Sequence, residues 1–202
     1  MDFHLTAEQA AFGETVRRFA DKHLAGGARE RAHSGEYPWA VAKLMAAQGL
    51  LGIVIPEADG GQGGTLMDAV IAIEAVAAAC PRSADVVQAG NFGAIRVLAE
   101  YGSAHQKNAY LARLLRGEGV ISVGMTEPEA GSAVTDLKTS ATPEGAGYRI
   151  NGSKVFTTHA PYADVILAYV RFAPGVRGIG SVLIDTKAEG VRFGQRSSFM
   201  SG

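Results

Sequence analysis

Three acidic residues surround an Ala-Gly-Ser turn in residues 125–136, MTEPEAGSAVTD. Carboxylates grouped in this way can bind a metal, form a catalytic pair, or frame a loop that binds something else. The spacing of Glu127, Glu129 and Asp136 does not fit a calcium loop, which needs further oxygen ligands at fixed positions. A glycosidase-type pair of carboxylates is compatible with the spacing, although no other feature supports it.

The third interpretation of this segment is a strand end, residues 123–126, followed by a turn at Gly131 and Ser132. Backbone N–H groups and a hydroxyl that point outward from such a turn suit a phosphate or a polar ring edge. A plain surface turn is the alternative on the residues alone.

Two other features invite a functional interpretation. Residues 59–64, DGGQGG, look like a nucleotide loop, but no Gly-Lys-Ser/Thr follows and the third glycine of a G-x-G-x-x-G frame would fall at Leu66. We therefore predict a turn between helices. The five histidines never occur at His-x-x-x-His spacing, which disfavours a metal site. Cys80 follows an apolar helical run, so we predict a buried structural thiol.

The composition indicates a globular protein with a substantial core. The chain has 202 residues, of which 47% are hydrophobic, and 19 basic against 20 acidic residues give a net charge of −1. This balance gives no reason to expect nucleic acid or an anionic membrane as a partner. The single cysteine excludes a disulfide framework, and neither a signal peptide nor a membrane span is recognisable. We predict a cytoplasmic protein.

The first part of the chain has the periodicity of helices. Thr6 with Gln9, and Ser103 with Gln106, have the spacing of capping boxes. The predicted helices begin near residues 6, 38, 65, 84 and 103, the fourth being broken near residues 91–93. These patterns predict a helical domain over residues 1–117.

The remainder of the chain has the pattern of short strands separated by turns. Asn151-Gly152 is a strong hairpin signal. The predicted strands cover residues 120–126, 137–142, 148–150, 154–158, 165–172, 180–185 and 191–193. We predict an antiparallel β-barrel or sandwich domain over residues 118–202, and hence an α+β, multi-domain fold.

Two longer motifs resemble those of the acyl-CoA dehydrogenase family, flavin enzymes that oxidise acyl thioesters. Residues 125–132, MTEPEAGS, are similar to the family pattern of a hydrophobic residue followed by T-E-P-x-A-G-S-D, and residues 148–158, YRINGSKVFTT, to its Y-x-[LI]-N-G-x-K-x-[WF]-I-T segment. Residues 5–9, 49–61 and 102–107 fit as well. The resemblance covers essentially the whole chain, and it implies a helical domain, a middle β domain and a C-terminal helical bundle that has no counterpart in this sequence.

The resemblance implies FAD as the cofactor. Backbone N–H groups near Met125 and Thr126, with the Thr126 hydroxyl, would bind the pyrimidine edge of the flavin and stabilise its reduced form. Phe156, where the family often has Trp, would pack against the ring, and Thr158 would donate to the flavin N5. On the residues alone, Phe156 and Thr158 would be an ordinary strand pair. The implied cofactor-binding residues are Val123, Met125, Thr126, Gly131, Ser132, Phe156, Thr157 and Thr158.

The resemblance also implies a reaction, in which an α proton of the acyl-CoA is abstracted and the β hydrogen moves to the flavin as hydride. Ser132 would contact the flavin pyrophosphate or the pantetheine arm of the substrate. The family base, a glutamate of the C-terminal domain, has no counterpart here, so no residue of this chain is expected to be catalytic and the chain alone is expected to be inactive. Ala133 stands where the family has aspartate, which affects loop order or the pantetheine contact.

Partners follow from the same resemblance: an acyl-CoA of fatty acid metabolism, an electron-transfer flavoprotein as electron acceptor, and further copies of the chain in a homo-tetramer or dimer. Related flavoproteins act as oxidases or eliminate other groups from a CoA thioester, and the residues do not separate these chemistries. A non-catalytic subunit completed by a partner chain is an alternative from another class.

Overall fold

The computed structural model describes residues 4–196, which form two compact units. The helical unit runs to Gly119 and also includes Gln195 and Arg196, and the β unit is Val120–Gly194. Within the described part of the chain, no helix combines the length and the apolar character needed to cross a bilayer.

The helical unit contains seven described helices. They are α1 Ala7–His23, α2 Ala28–His33, α3 Trp39–Ala47, α4 Leu66–Ala79, α5 Pro81–Ala89, α6 Ala94–Tyr101 and α7 Ala104–Leu115. The capping boxes predicted at Thr6 and Ser103 are confirmed, and Thr65 forms a third one with Asp68. The predicted break near residue 91 is confirmed as the junction between α5 and α6. The sequence patterns missed α2, whose six residues are too few to show a helical period.

The core of the helical unit is apolar. Its largest fully buried side chains include Leu24, Met45, Ile55 and Leu98, and each such side chain stabilises the fold by about 1.5–3 kcal/mol relative to exposure. Cys80, at the junction of α4 and α5, is buried as predicted, and its Sγ accepts hydrogen bonds from Ser83 Oγ at 3.1 Å and Arg31 Nε at 3.4 Å.

The glycine-rich segment is confirmed as a turn, and packing accounts for its glycines. A Cβ at Gly61 would lie 2.2 Å from the carbonyl oxygen of Ile55. The turn is also fastened to α7, because Lys107 Nζ pairs with the Asp59 carboxylate at 2.9 Å. Close backbone approach therefore explains this composition without a phosphate.

The β unit contains one five-stranded sheet, whose strands are β1 Ile121–Gly124, β2 Ser140–Glu144, β3 Gly147–Asn151, β4 Val165–Arg171 and β5 Ile179–Asp185. The central strand β4 pairs antiparallel with β5 along its whole length. On its other edge β4 pairs parallel with β1, from Ile121–Val165 to Gly124–Ala168, and with β2 at Ser140–Arg171. Ala141, Ala168 and Val170 are buried on one face of this sheet, with Ile166 and Val182 packed against them.

The helical-then-β order and the α+β class are confirmed, but three details of the predicted β domain are wrong. The sheet is mixed, because β1 runs parallel to β4. The hairpin turn lies at Gly145-Ala146, between β2 and β3, and not at Asn151-Gly152. Residues 154–158 and 191–193 form no strand.

Gly152 serves a different purpose from a hairpin turn. A Cβ at this position would lie 2.3 Å from Thr139 Oγ1 and 2.6 Å from Thr139 Cα. A glycine is therefore required where the end of β3 crosses the segment that leads into β2.

Candidate ligand site at the end of strand β1

Two connecting segments meet where β1 ends. One leads from β1 to β2 through residues 125–139, and the other leads from β3 to β4 through residues 152–164. Val155 N donates to the Thr126 carbonyl at 2.9 Å, and Lys154 Nζ donates to the Met125 carbonyl at 3.1 Å. The two motifs quoted above are thereby joined in space.

Glu127 is the buried anchor of the first segment, with 6% of its surface exposed. Its carboxylate accepts hydrogen bonds from the amide of Lys138 at 2.6 Å, the amide of Thr139 at 2.9 Å and Lys154 Nζ at 2.8 Å. Burial alone would raise the pKa of Glu127. The bonds from Lys138, Lys154 and Thr139 outweigh burial and lower the pKa to about 2.

These contacts decide between the interpretations of the acidic segment. Glu127 is committed to holding the start of β2 and stays ionised, so it is unsuited to act as a base near neutral pH. Glu129 is exposed and pairs with the Lys138 ammonium, and Asp136 is exposed in the short 3-10 turn Val134–Asp136. Across residues 4–196, no three His, Cys, Asp or Glu side chains converge as a metal site.

The amides of Met125 and Thr126 are available as donors. The parallel ladder between β1 and β4 ends at the Gly124–Ala168 pair, one residue before Met125. Within the described residues, the backbone hydrogen bonds of Met125 and Thr126 use their carbonyl oxygens and leave both N–H groups unused. Two adjacent unused donors beside a hydroxyl fit an electron-rich ring edge or an anion.

The turn that follows is tightly closed and exposed. Glu127 and Ala130 exchange backbone hydrogen bonds at 3.0 and 3.2 Å, which places Gly131 and Ser132 at the surface. The loop beyond them is held by Arg171, which donates to the carbonyls of Thr135 at 2.6 Å and Leu137 at 3.1 Å. The exposed turn therefore lies between two anchored parts of the chain, Glu127 before it and the Arg171-bound residues 135–137 after it.

The second segment carries an exposed aromatic ring on a strained backbone. Phe156 has a φ of 55° and is 78% exposed, and for a residue with a Cβ this left-handed conformation costs about 1–2 kcal/mol. Nearby, the Thr158 carbonyl accepts a hydrogen bond from Ser122 Oγ of β1 at 2.7 Å, while Thr158 itself is exposed. Strain and exposure of this kind cluster at ligand sites.

The structure thus brings Met125 and Thr126 together with the segment that contains Phe156, Thr157 and Thr158. Val123 lies half-buried within β1. No hydrogen bond described for residues 4–196 joins Gly131 or Ser132 to the Phe156 segment. Glu127 was predicted only as one of the acids that frame the loop, and Lys154 only as part of the second motif. The supporting residues Ser122 and Arg171 were missed, because their partners are distant in sequence.

Comparison with protein families identifies two adjacent matches. The chain matches the family model "Acyl-CoA dehydrogenase, N-terminal domain" over residues 6–118 and "Acyl-CoA dehydrogenase, middle domain" over residues 122–201. Together these matches include both connecting segments at the end of β1.

Individual proteins agree with this match. The short-chain-specific acyl-CoA dehydrogenase of Clostridium acetobutylicum is 34% identical over 197 residues, which are 96% of this chain and 52% of that protein. A glutaryl-CoA dehydrogenase from Mycobacterium smegmatis, solved in complex with FADH2, has a TM-score of 0.84 at 27% identity, covering 92% of this chain and 47% of that one. The structure of the electron transferring flavoprotein of Acidaminococcus fermentans gives 0.88 at 30% identity, covering 98% and 53%. The chain therefore spans about half the length of the relatives it matches.

Proposed function

The chain belongs to the acyl-CoA dehydrogenase family, and from this premise we propose that it forms the FAD-facing wall of an enzyme that oxidises an acyl-CoA thioester to the 2,3-enoyl-CoA. When bound, FAD supplies a hydride acceptor for the β hydrogen of the substrate. The residues of this chain would bind and orient that group.

One observation carries the proposal: the unused amides of Met125 and Thr126 lie beside a segment that presents an exposed ring. The first segment offers hydrogen-bond donors, and the second offers the aromatic residue Phe156, which is 78% exposed. A flat heteroaromatic ring with an electron-rich edge needs both kinds of contact. The described residues therefore fit a flavin.

The individual roles follow from this fit. We assign the amides of Met125 and Thr126 and the Thr126 hydroxyl to the pyrimidine edge of the flavin, where they favour the more negative, reduced form. Phe156 would pack on the ring, and Thr158 would donate a hydrogen bond to its N5. The remaining lining residues are Val123, Gly131 and Thr157.

Ser132 is assigned to the pyrophosphate of the cofactor or the pantetheine arm of the acyl-CoA. It lies on the exposed turn, and no described hydrogen bond within the chain uses its hydroxyl. Ala133, beside it, supplies no carboxylate. The loop is instead fixed by Glu127 and Arg171.

The base that removes the α proton is proposed to lie outside the acidic segment. Glu127 keeps its charge, since its pKa is about 2, and it faces Lys154 and two amides. Glu129 points to solvent and pairs with Lys138. In this proposal the described residues hold the flavin and the substrate, and they do not supply the base.

The proposed partners are an electron-transfer flavoprotein, which accepts the electrons, and further copies of the chain. A relative named as a subunit of a caffeyl-CoA reductase–Etf complex in Acetobacterium woodii, 35% identical over 188 residues, supports the first. Homo-oligomer formation, a role in fatty acid metabolism, a cytoplasmic location and a domain boundary at residues 117–118 remain predictions. Light scattering measures the oligomeric state directly.

The test is reconstitution of the purified protein with FAD. We expect a bound flavin with a shifted absorbance spectrum, and we expect Thr126→Val to weaken FAD binding about tenfold, since one hydrogen bond of about 1–1.5 kcal/mol is lost. Thr142→Val, on the exposed β2–β3 hairpin, is the matched control and should leave FAD affinity unchanged. Equal affinities for wild type and Thr126→Val would contradict the assigned role.

Acyl-CoA oxidation is tested separately, with the protein as isolated from its source cells and an artificial electron acceptor. We expect the acyl-CoA to bleach the flavin with formation of one enoyl-CoA per flavin, and further 2,3-enoyl-CoA to accumulate only when the acceptor is present. Enoyl-CoA formed beyond one equivalent per flavin without an acceptor would indicate elimination chemistry. Oxygen consumption in place of acceptor reduction would indicate an oxidase.

A further inference from the structure

Lys154 makes two contacts that the proposed function leaves without a purpose. Its ammonium donates to the Met125 carbonyl at 3.1 Å and to Glu127 Oε1 at 2.8 Å. The Lys154 side chain is 12% exposed and the Glu127 side chain 6% exposed, so the pair is shielded from water. Electrostatic contacts are stronger in such surroundings than at an open surface.

The carbonyl that Lys154 contacts belongs to an informative peptide unit. The Met125 C=O and the Thr126 N–H are the two ends of one planar, conjugated group. A cation at the oxygen draws electron density from the nitrogen end, which makes the N–H a stronger donor. That N–H is one of the two unused amides at the end of β1.

The position of the ammonium is fixed from several sides. Glu127 is itself held by the amides of Lys138 and Thr139, so it cannot follow a displaced lysine. The aliphatic stem packs over Gly124, where a Cβ would lie 3.4 Å from Lys154 Cγ. The amide of the next residue, Val155, donates to the Thr126 carbonyl, which belongs to the following peptide unit.

We infer that Lys154 is a positioning residue that polarises the Met125–Thr126 peptide and so strengthens the Thr126 amide as a donor to an electron-rich ring. Resting on the proposed function, the consequence is that Lys154 raises the reduction potential of the bound flavin. Glu127 holds the ammonium in place and balances its charge.

The first test needs no flavin. The amide ¹⁵N and ¹H resonances of Thr126 are recorded for wild type, Lys154→Met and Lys154→Arg, with Lys187→Met as control, because Lys187 is an exposed lysine of the same unit. Lys154→Met should move the Thr126 resonances upfield, Lys154→Arg should restore most of the shift, and Lys187→Met should leave them unmoved. Thr126 resonances that stay unmoved in folded Lys154→Met overturn the inference.

The second test measures the midpoint potential of the FAD-loaded protein against a redox dye. We expect Lys154→Met to lose about tenfold in preference for reduced over oxidised flavin, which corresponds to about 30 mV for a two-electron couple. The double variant Lys154→Met with Glu127→Gln removes both charges, so it keeps the net charge and avoids a buried unpaired carboxylate. It should show most of the same decrease.

Each outcome separates the explanations. A decrease in Lys154→Met that disappears in the double variant assigns the effect to net charge and overturns peptide polarisation. An unchanged potential in both variants overturns the role of Lys154 while leaving the proposed function standing. If the Thr126 resonances move as expected in Lys154→Met but the wild-type protein takes up no FAD, the proposed function is refuted and the polarised peptide stays supported.

Discussion

The helical unit and the β unit hold their turns in place by different means. In the helical unit, three capping boxes start helices α1, α4 and α7, each made by two residues three apart in the chain. In the β unit, the turn after β1 is held by Glu127, whose partners lie 11, 12 and 27 residues away. One frame is local and exposed, and the other is long-range and buried.

The two frames differ in how much unfolding free energy is lost when one of their members is removed. A capping box contributes on the order of 1 kcal/mol and can be lost without leaving a buried charge. Removing one member of a buried ion pair leaves the other charge uncompensated, which costs several times more. The candidate site is thus supported by the buried ion pair, whose partners cannot move apart without leaving a buried charge uncompensated.

The largest expected effect is that of Glu127→Ala. The variant leaves the Lys154 ammonium and the amides of Lys138 and Thr139 without their acceptor, so the β unit should lose about 3–5 kcal/mol of unfolding free energy. Hydrogen exchange of the amides in β1 and β4 measures this loss. Fluorescence of Trp39, the single tryptophan, reports on the helical unit in the same samples.

Glu129→Ala is the matched control, since Glu129 pairs with Lys138 at the surface. It should cost less than about 1 kcal/mol. Similar losses of unfolding free energy in Glu127→Ala and Glu129→Ala would show that the buried contacts of Glu127 add no more stability than the exposed pair of Glu129.

The next effect is a dependence on pH. The pKa of Glu127 is lowered in the folded chain from 4.5 to about 2, so its stabilisation is complete above pH 4.5 and is lost as the pH falls toward 2. The stabilisation that disappears in this window is about 3 kcal/mol. Urea unfolding is measured at several pH values between 2 and 6. The unfolding free energy of wild type should rise more steeply with pH than that of Glu127→Gln, and an equal pH dependence in both would contradict the prediction.

A smaller effect is expected in the helical unit. Thr65→Ala removes the hydroxyl that accepts from the Asp68 amide at 3.2 Å, and it should lower the unfolding free energy by about 1 kcal/mol. Trp39 fluorescence during denaturation measures the loss. Thr142→Val, on the hairpin of the β unit, serves as control. If Thr65→Ala lost more unfolding free energy than Glu127→Ala, the capping box would be the more important of the two frames.

The smallest effect has the opposite sign. Phe156→Asn replaces an exposed ring at φ 55° with a residue that tolerates left-handed backbone, so the flavin-free chain should gain roughly 0.5 kcal/mol. The same variant should bind FAD more weakly, because the ring is lost. Calorimetry without and with FAD measures both changes, and a clear destabilisation of the flavin-free chain would show that Phe156 serves the fold.

The sequence was most informative where structure depends on neighbouring residues. The capping boxes at Thr6 and Ser103 and the break between α5 and α6 each depend on residues within a few positions. The turn at the glycine-rich segment was also predicted, although the reason for Gly61, contact with the Ile55 carbonyl, needs the folded chain.

Long-range pairing was not predictable in the same way. The parallel alignment of β1 with β4 joins residues 44 positions apart, as at Ile121 and Val165, and no local pattern encodes it. Asn151-Gly152 misled because its composition suits a two-residue turn, whereas Gly152 is needed for close contact with Thr139. The lining residues were named from motifs, but the Glu127–Lys154 pair that supports them came from the structure alone.

The burial of Cys80 has a practical consequence for optical work on this protein. Because the sequence contains no second cysteine and Cys80 is buried, Glu129→Cys would place one accessible thiol on the exposed turn. A maleimide dye attached there would be on the same connecting segment as Met125 and Thr126, and its emission can follow the arrival of a ligand at the end of β1 in real time.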